Sequence, residues 1–568
     1  MMIIDPLRAW WNTIYKHMSG KERGFLLFFG AILFVAVLLG ITGYVQRHSS
    51  FIPQEGGTYT EAEVGQPQYI NPILASSSDV DSDISRLVYS SLFRLDSKLN
   101  LQNDLAESYE LSKDNKTYTV HIKHNVQWSD GKPLTADDVV FTIQSIQSSQ
   151  YASPLASSFQ GVQVQKIDDY TVSFTLQQTT YAPFLSNLTV GILPKHVWEN
   201  IPPKSMGLAE QELKPVGSGP YKFQELTTKK KTGEVTSIKL SRNTSYYGDQ
   251  PFITTIVFSF FTTHEDAIAA LTSGKVNGIG YLPVSFLTTI QHHPALQIHK
   301  LLLPQYFALF FNASKNNALG DAGVRAALAL ATDRTAIIQD ALQGEAEFMG
   351  TPIPSGTFDF SDIKNPVFDI QKAQQNLDDA GWKLNPQDGT RSKDGKQLHV
   401  TITTTDWPEY IKTAQIIQQE WKQAGIQVDI KSVGTATIQQ TIVAPRDYEI
   451  LLYGENLAAD PDPYSFWHSS QVKSPGLNLS LLEDKDTDAY LEQARKATDP
   501  SQRQQALHSF IERFLDINPA IILYRPYYLF VEKSNVQGIG IENGALPSDR
   551  FNDIEHWYVQ TKRVWNTK

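Results

Sequence analysis

Residues 24–45, GFLLFFGAILFVAVLLGITGYV, contain no charged side chain. An α-helix rises 1.5 Å per residue, so a segment of this length spans the ~30 Å hydrocarbon core of a bilayer. A helix buried in a protein core is a poorer interpretation, because such helices are rarely apolar on every face over this length. The segment therefore predicts a transmembrane helix, and any globular fold must form outside it.

The flanks of this segment favour a permanent anchor over a cleaved secretory signal. A signal peptide has a short basic start and a small-residue cleavage site, whereas here a long N-terminal region precedes the segment and no Ala-x-Ala pattern follows it. Because basic residues mark the cytoplasmic side, residues 1–23 are predicted inside and residues from 46 onward outside. We expect a single-pass protein of the cell membrane with its globular lobes on the extracellular or periplasmic side. The basic residues near the segment are Arg8, Lys16, Lys21 and Arg23 before it and Arg47 after it.

Composition narrows the class of the globular part. The chain continues to residue 568, which is too long a stretch for one hydrophobic core, so two or more lobes are expected. The net charge is −11 with no basic stripe, which argues against nucleic acid as a partner. The chain has no cysteine, so disulfides, thiolate metal sites, cysteine nucleophiles and lipidated cysteines are all excluded. Aromatic residues make up 11 % of the chain and fit a ligand cleft lined with rings.

The most informative passage is residues 126–142, VQWSDGKPLTADDVVFT. It follows a predicted strand over 117–123, and its Ser-Asp-Gly-Lys stretch is typical of a turn. Thr135 followed three residues later by Asp138 resembles a capping box, which predicts a helix over 136–146. Further along, the two glycines and the proline of residues 215–223, PVGSGPYKF, predict a tight turn into a strand over 221–225.

These passages, taken in order, resemble the family 5 solute-binding proteins, the oligopeptide-, dipeptide- and nickel-type receptors of ATP-binding-cassette importers. The resemblance covers roughly residues 56–535, and Asn277 stands where the family usually has an aspartate. Two further segments, 373–382 and 415–428, agree with it. The five motifs that carry it are LAES at 105–108, the passage at 126–142, PVGSGPYKF at 215–223, LTSGKVN at 271–277 and VRAALALATDR at 324–334.

The resemblance implies an α/β, two-lobed periplasmic-binding-protein-like fold of type II, in the large peptide-binding class, preceded by one transmembrane helix. Residues 1–23 form the cytoplasmic N-terminus, 24–45 the anchor and 46–57 a linker. The first lobe then takes 58–305 and 520–568, with an inserted subdomain at about 75–189, and the second lobe takes 306–519. The alternation of predicted strands and helices over 398–431 independently indicates parallel strands, whose loops gather where open α/β sheets bind ligands.

The acidic loop after the predicted strand 448–453 is the main site candidate. Its sequence, GENLAADPDP at 454–463, holds carboxylates between prolines that stiffen the backbone. In peptide-binding relatives an aspartate of this loop takes the α-amino group of the peptide, and Leu457 stands near that place here. The alternative is a rigid surface loop with packed aromatic residues. The candidate ligand-binding residues are the carboxylates Glu455, Asp460 and Asp462 and the aromatic residues Trp467, Trp407, Tyr306 and Trp128.

The resemblance implies a receptor that captures oligopeptides for an ATP-binding-cassette importer and that is not an enzyme. Strand-like hydrogen bonds to the peptide backbone would bind the ligand, and closure of the lobes would bury it. The expected partners are the oligopeptide, the permease subunits of the importer and the membrane, with the receptor as a monomer and without cofactor or metal. Another solute, such as an oligosaccharide or a nickel chelate, stays open as an alternative. An extracellular hydrolase is less well supported, because no nucleophile elbow, metal-ligand spacing or neighbouring general base is visible.

Overall fold

A computed structural model describes residues 16–177, 184–354, 358–365, 367–457, 462–497 and 499–566. Its helices of nine residues or more are α1 Gly20–His48, α2 Asp79–Val88, α3 Ala136–Gln147, α4 His264–Thr272, α5 Ala322–Leu330, α6 Arg334–Leu342, α7 Ile370–Asp379, α8 Pro408–Gln423, α9 Lys485–Lys496 and α10 Pro500–Ile517.

The strands of the same ranges are β1 Ser49–Pro53, β2 Thr58–Val64, β3 Phe93–Leu95, β4 Leu101–Asn103, β5 Ala106–Leu111, β6 Thr117–Ile122, β7 Val162–Asp168, β8 Thr171–Leu176, β9 Tyr221–Thr228, β10 Val235–Arg242, β11 Thr255–Phe261, β12 Gly278–Ile279, β13 Leu296–Leu302, β14 Gln305–Phe311, β15 Ala346–Phe348, β16 Lys383–Leu384, β17 Arg391–Lys393, β18 Lys396–Gln397, β19 His399–Thr405, β20 Gln427–Val433, β21 Ile450–Asn456, β22 Ala520–Lys533 and β23 Thr561–Trp565.

Helix α1 contains the whole predicted apolar segment. It begins after Ser19, whose side chain accepts a hydrogen bond from the backbone of Glu22 while the Glu22 carboxylate accepts from the backbone of Ser19. This reciprocal capping box fixes the start of the helix. None of its residues is buried, and by length and composition it is the one helix of the described residues that could cross a membrane.

One large sheet connects the two lobes. Its strands follow the order β20-β19-β21-β14-β22-β12-β2-β11-β10-β9, with β13 and β15 also paired to β22. The first half of β22 pairs with β14, and the second half pairs with β13 and β12. The chain therefore crosses between the lobes within β22, and again at the short connection from β13 to β14. The Nε of Arg525 joins the two crossings by donating to the carbonyl of Leu303 at 2.6 Å.

Alternation along β14 shows why the second lobe has a core on each face of its sheet. Successive side chains of a strand point to opposite faces of the sheet. Residues 306–311 of β14 are all hydrophobic, because helices cover both faces of the sheet. The first-lobe cores draw on residues between 59 and 303 and between 528 and 557, and where each lobe begins and ends stays a prediction. Along β14, Phe307, Leu309 and Phe311 enter one second-lobe core, and Tyr306, Ala308 and Phe310 enter the other.

A buried ion network ties the C-terminal part of the chain to the first lobe. The guanidinium of Arg550 contacts the carboxylates of Glu61 at 2.9 Å, Glu63 at 3.2 Å and Asp83 at 2.5 Å. All four side chains are buried. Burial raises the pKa of Glu61 to about 7, although the neighbouring Arg550 acts in the opposite direction. One cation thus holds three carboxylates from β2 and α2 in place.

The sequence also predicts a strand over 58–64, which is β2, and a hairpin tip at residues 229–231, which lies between β9 and β10; both are confirmed. Three other element predictions are wrong. The apolar spacing of residues 84–92 predicts a helix there, but α2 starts five residues earlier because Ser78 caps it, and ends at Val88. The alanine-rich segment 323–338 predicts one helix, but it is broken into α5 and α6, because Asp333 leaves helical geometry to cap α6. Residues 520–524 and 527–531 predict two separate strands, but they form one strand, β22.

Candidate ligand-binding cleft

Two cavities lie where the lobes face each other. The smaller, of about 370 Å³, is lined by Tyr89, Gly191 and Leu546 on the first-lobe side and by Asn456, at the end of β21, on the second-lobe side. Its volume is within the range typical of small-molecule sites. The end of a sheet strand therefore opens into a cavity that residues of both lobes enclose.

The larger cavity, of about 1300 Å³, adjoins the smaller one. It is lined by Gly161 and Gln177 from the first lobe and by Tyr464 and Arg495 from the second. The two cavities share Ser158 and Asn187 as lining residues, and the Asn187 amide donates to the carbonyl of Ser158 at 2.9 Å. We call the two adjoining cavities together the interlobe cleft. Its two ends are marked by Asn456 and Arg495.

Arg495 is positioned at the cleft by Asp462. The Asp462 carboxylate accepts hydrogen bonds from the Arg495 guanidinium at 2.6 and 2.8 Å and is itself buried. The same guanidinium lies 3.7 Å from the ring centroid of Tyr464, which stacks on His468 at 4.0 Å. Both hydrogen bonds go to the same oxygen, Oδ2, and charge-assisted bonds together with contact to an aromatic face restrict an arginine side chain strongly. Asp462 thus fixes a cation and an aromatic ring on the wall of the cleft.

Glu455 and Tyr306 form a buried pair beneath the same strand end. They are directly opposite each other on β21 and β14, and the Tyr306 hydroxyl donates to the Glu455 carboxyl. Burial raises the pKa of Glu455 well above its usual range, so the uncharged form of the carboxyl is favoured. Trp467 belongs to the same second-lobe core and packs against Phe514 with ring centroids 4.8 Å apart.

The remaining predicted aromatic residues lie apart from this cleft. Trp407 is half-buried, and its ring meets the edge of Tyr281, a first-lobe residue, with centroids 6.2 Å apart. Tyr281 also packs on Tyr528 at 5.2 Å, so these three rings connect the lobes near the crossings. Trp128 is 1 % exposed and belongs to the first-lobe core.

The predicted site residues are therefore only partly brought together. Glu455, Tyr306 and Trp467 cluster in the second-lobe core, Asp462 supports the cleft wall, and Asp460 lies outside the described residues. Their role in binding stays a prediction. Sequence reasoning missed the residues that line the cleft directly. Asn456 lies within the acidic loop and Tyr464 directly follows it, so both could have been found from it, whereas no sequence signal marks the other three, Ser158, Asn187 and Arg495.

Comparison with known proteins decides the family of this fold. Residues 100–476 match the model of bacterial extracellular solute-binding proteins, family 5 Middle. The chain belongs to this family. Among its relatives, the oligopeptide-binding protein AppA of Bacillus subtilis is 32 % identical over 524 residues, which is 90 % of this chain and 93 % of AppA.

Solved structures of family 5 members and their relatives share the two-lobed type II fold. The structure of Bacillus subtilis AppA in complex with a nonapeptide has a TM-score of 0.73 at 30 % identity, covering 90 % of this chain and 100 % of AppA. NikZ from Campylobacter jejuni in complex with Ni(L-His) has a TM-score of 0.74 at 26 % identity, covering 89 % of this chain and 100 % of NikZ. The predicted family and fold class are confirmed.

Proposed function

We propose that this chain is an oligopeptide receptor that binds its ligand in the interlobe cleft and delivers it to an ATP-binding-cassette importer. The observation that carries the proposal is the pair of adjoining cavities between Asn456 and Arg495, which residues of both lobes line. The 32 % identity with the oligopeptide-binding protein AppA over nearly the whole chain supports the same ligand class. The receptor acts as a monomer and performs no chemistry on the peptide.

The cleft offers separate features for the backbone and for the ends of a peptide. Backbone groups at the end of β21 can pair with an extended peptide independently of its side chains. Arg495, held by Asp462 and stacked on the ring of Tyr464, lines the larger cavity at the other end of the cleft. Glu455 is disfavoured as the partner of a free amine, because its carboxyl is buried and tends to be uncharged. Asp460 stays the candidate for that role.

Binding couples to closure of the lobes about the two crossings. A hinge needs few connections between the moving parts, and here they are β22 and the β13–β14 connection. Arg525 links the two connections through its bond to the Leu303 carbonyl, so they move as one unit. Closure brings Ser158 and Asn187 against Asn456 and buries the ligand, which creates the surface that the importer recognises.

Helix α1 anchors the receptor in the cell membrane with the lobes outside. Its length, its composition and the exposure of every residue support a membrane span. Protease treatment of intact cells should release the lobes. N-terminal sequencing of the untreated protein should place the N-terminus before residue 24, and a mature N-terminus near residue 46 would contradict the anchor.

Thermal-shift screening and calorimetry of the full chain in lipid nanodiscs test the ligand class. The ligands are peptides of four to ten residues, oligosaccharides and nickel–histidine, and we expect stabilisation by peptides alone. Ser158→Trp fills the junction of the two cavities and should weaken peptide binding at least tenfold. Ser285→Trp, at an exposed position that lines neither cavity, is the matched control and should leave the affinity unchanged. Stabilisation by oligosaccharides or nickel–histidine alone would overturn the proposal.

A further inference from the structure

The end of the anchor helix is built into the globular body. Strand β1 begins at Ser49, the residue directly after the last residue of α1, and pairs antiparallel with β23 from the C-terminal end of the described chain. The backbone N–H of Asn566 donates to the carbonyl of His48 at 2.8 Å, and the Ser50 hydroxyl bonds the Asn566 side chain at 3.0 Å. We call this two-stranded element, Ser49–Pro53 with Thr561–Trp565, the membrane-proximal ribbon.

One face of the ribbon carries exposed aromatic rings and a cation. Residues directly opposite each other on paired strands share a face, and the register places Trp565 opposite Ser49 and Arg563 opposite Phe51. Phe51 is 64 % exposed and Trp565 is 61 % exposed. The Arg563 guanidinium lies 4.7 Å from the centroid of the Phe51 ring. Large apolar rings so close together in water are costly unless another surface covers them.

A contact with the anchor helix sets the depth of this face. The ring of Trp565 lies 6.4 Å from the ring of Tyr44, which stands four residues before the end of α1 and inside its apolar segment. If that segment spans the hydrocarbon core, Tyr44 lies at its outer boundary, about 6 Å below the end of the helix. Trp565 must then lie at the same level, where tryptophan and tyrosine rings are enriched in membrane proteins.

We propose that the membrane-proximal ribbon docks on the outer surface of the phospholipid bilayer. Trp565 and Phe51 enter the interfacial layer, and the Arg563 guanidinium reaches the lipid phosphates. The ribbon thereby holds the receptor in one orientation over the membrane, whereas a flexible tether would let it rotate. The inference rests on the proposed anchor, because the continuity of α1 with β1 is what brings the ribbon to the bilayer.

Tryptophan quenching in nanodiscs tests the docking. The full chain with Trp10→Phe and Trp11→Phe, which removes the tryptophans predicted on the cytoplasmic side, is reconstituted with phosphatidylcholine brominated at carbons 6 and 7. We expect this lipid to quench part of the emission, and Trp565→Phe to abolish the quenching. Trp382→Phe, which removes a buried second-lobe tryptophan, is the matched control and should leave it unchanged. Equal thermal midpoints would show that the variants are folded.

The outcomes separate this inference from the proposed function. Absent quenching, or quenching that survives Trp565→Phe, overturns the docking even though the protein still copurifies with the bilayer. Release of the lobes without α1 from cells that have not been treated with protease overturns the anchor and the docking together, while peptide binding is measured independently. If the exposed rings of the ribbon become shielded from solvent only when importer subunits are added, the aromatic face binds a protein partner, and the lipid assignment is overturned.

Discussion

Tyr306→Phe should destabilise the second lobe, because it removes the hydroxyl that donates to the buried carboxyl of Glu455. This hydroxyl bonds one oxygen of Glu455, and the other oxygen, Oε1, has no partner among the described residues. Tyr306 is 0 % exposed and Glu455 is 7 % exposed, so water replaces the lost bond poorly. In the part of the chain that the structure describes, the variant therefore leaves both carboxyl oxygens buried without a partner.

The size of the effect follows from what the carboxyl loses. A net hydrogen bond contributes about 1 kcal/mol, but a buried group left without a partner costs about 1–3 kcal/mol. We expect a loss of about 2 kcal/mol, which lowers the thermal midpoint by roughly 4–8 °C for a lobe of about 200 residues. Adding Glu455→Leu should recover part of this loss, since it removes the polar group that had become unpaired.

Differential scanning calorimetry measures the two lobes separately if they unfold in separate transitions. The matched control is Tyr221→Phe in the first lobe, where a fully buried hydroxyl donates to the neutral carbonyl of Ile253 at 2.9 Å. Its cost should be about 1 kcal/mol. The reasoning is refuted if Tyr306→Phe costs no more than this control, or if the double variant is less stable than Tyr306→Phe alone.

Three further variants test the fold at other points. Arg550→Leu leaves three buried carboxylates without their cation, so it should lower the free energy of unfolding by about 3–5 kcal/mol at pH 7 and by less at pH 5. A loss of thermal midpoint that does not depend on pH contradicts this. A Cβ at Gly217 would lie 2.0 Å from the Val88 carbonyl oxygen, so Gly217→Ala should reduce the folded yield. Gly320→Ala is the control, because a Cβ there would lie 3.9 Å from its nearest neighbour, the Cβ of Ala313. Burial raises the pKa of Glu420 from 4.5 to about 8, so its stabilising contribution is complete below pH 4.5 and is lost as the pH rises through 8. Glu420→Gln, which cannot ionise, should therefore unfold at a higher temperature than the parent at pH 9 and flatten the pH profile; an unchanged profile contradicts the assignment.

Local patterns predicted the elements with strong periodicity or clear caps. The alternation of residues 117–123 predicted β6, which ends one residue earlier, and the pair Thr135 and Asp138 predicted the start of α3. Such signals depend on neighbours within one turn or one strand, so a single sequence contains them. Boundaries set by the tertiary structure were missed. The helix predicted over 323–338 breaks at Asp333, which caps α6; the next residue, Arg334, is 3 % exposed, and its Nε donates to the carbonyl of Ile522 on β22.

The cleft was harder to predict than the fold, because its walls come from segments far apart in the chain. Ser158 and Asn187 meet Asn456 across about 270 to 300 positions of sequence, and each is an ordinary polar residue of an irregular or short segment. The acidic loop pointed to the right strand end, since Asn456 lies within it and Tyr464 directly follows it. Because the Glu455 carboxyl is buried, its role is structural. Composition alone does not distinguish a structural carboxyl from one that binds a ligand.

The most direct test of the receptor account is a crystal structure of the lobes with a bound peptide. The account predicts peptide density in the interlobe cleft, in contact with Ser158 and Asn187 on one side and with Asn456 on the other. Density confined to the separate cavity of about 650 Å³ that Glu347, Phe358 and Arg525 line would contradict it. A glycan or a nickel chelate in the cleft would contradict the ligand class.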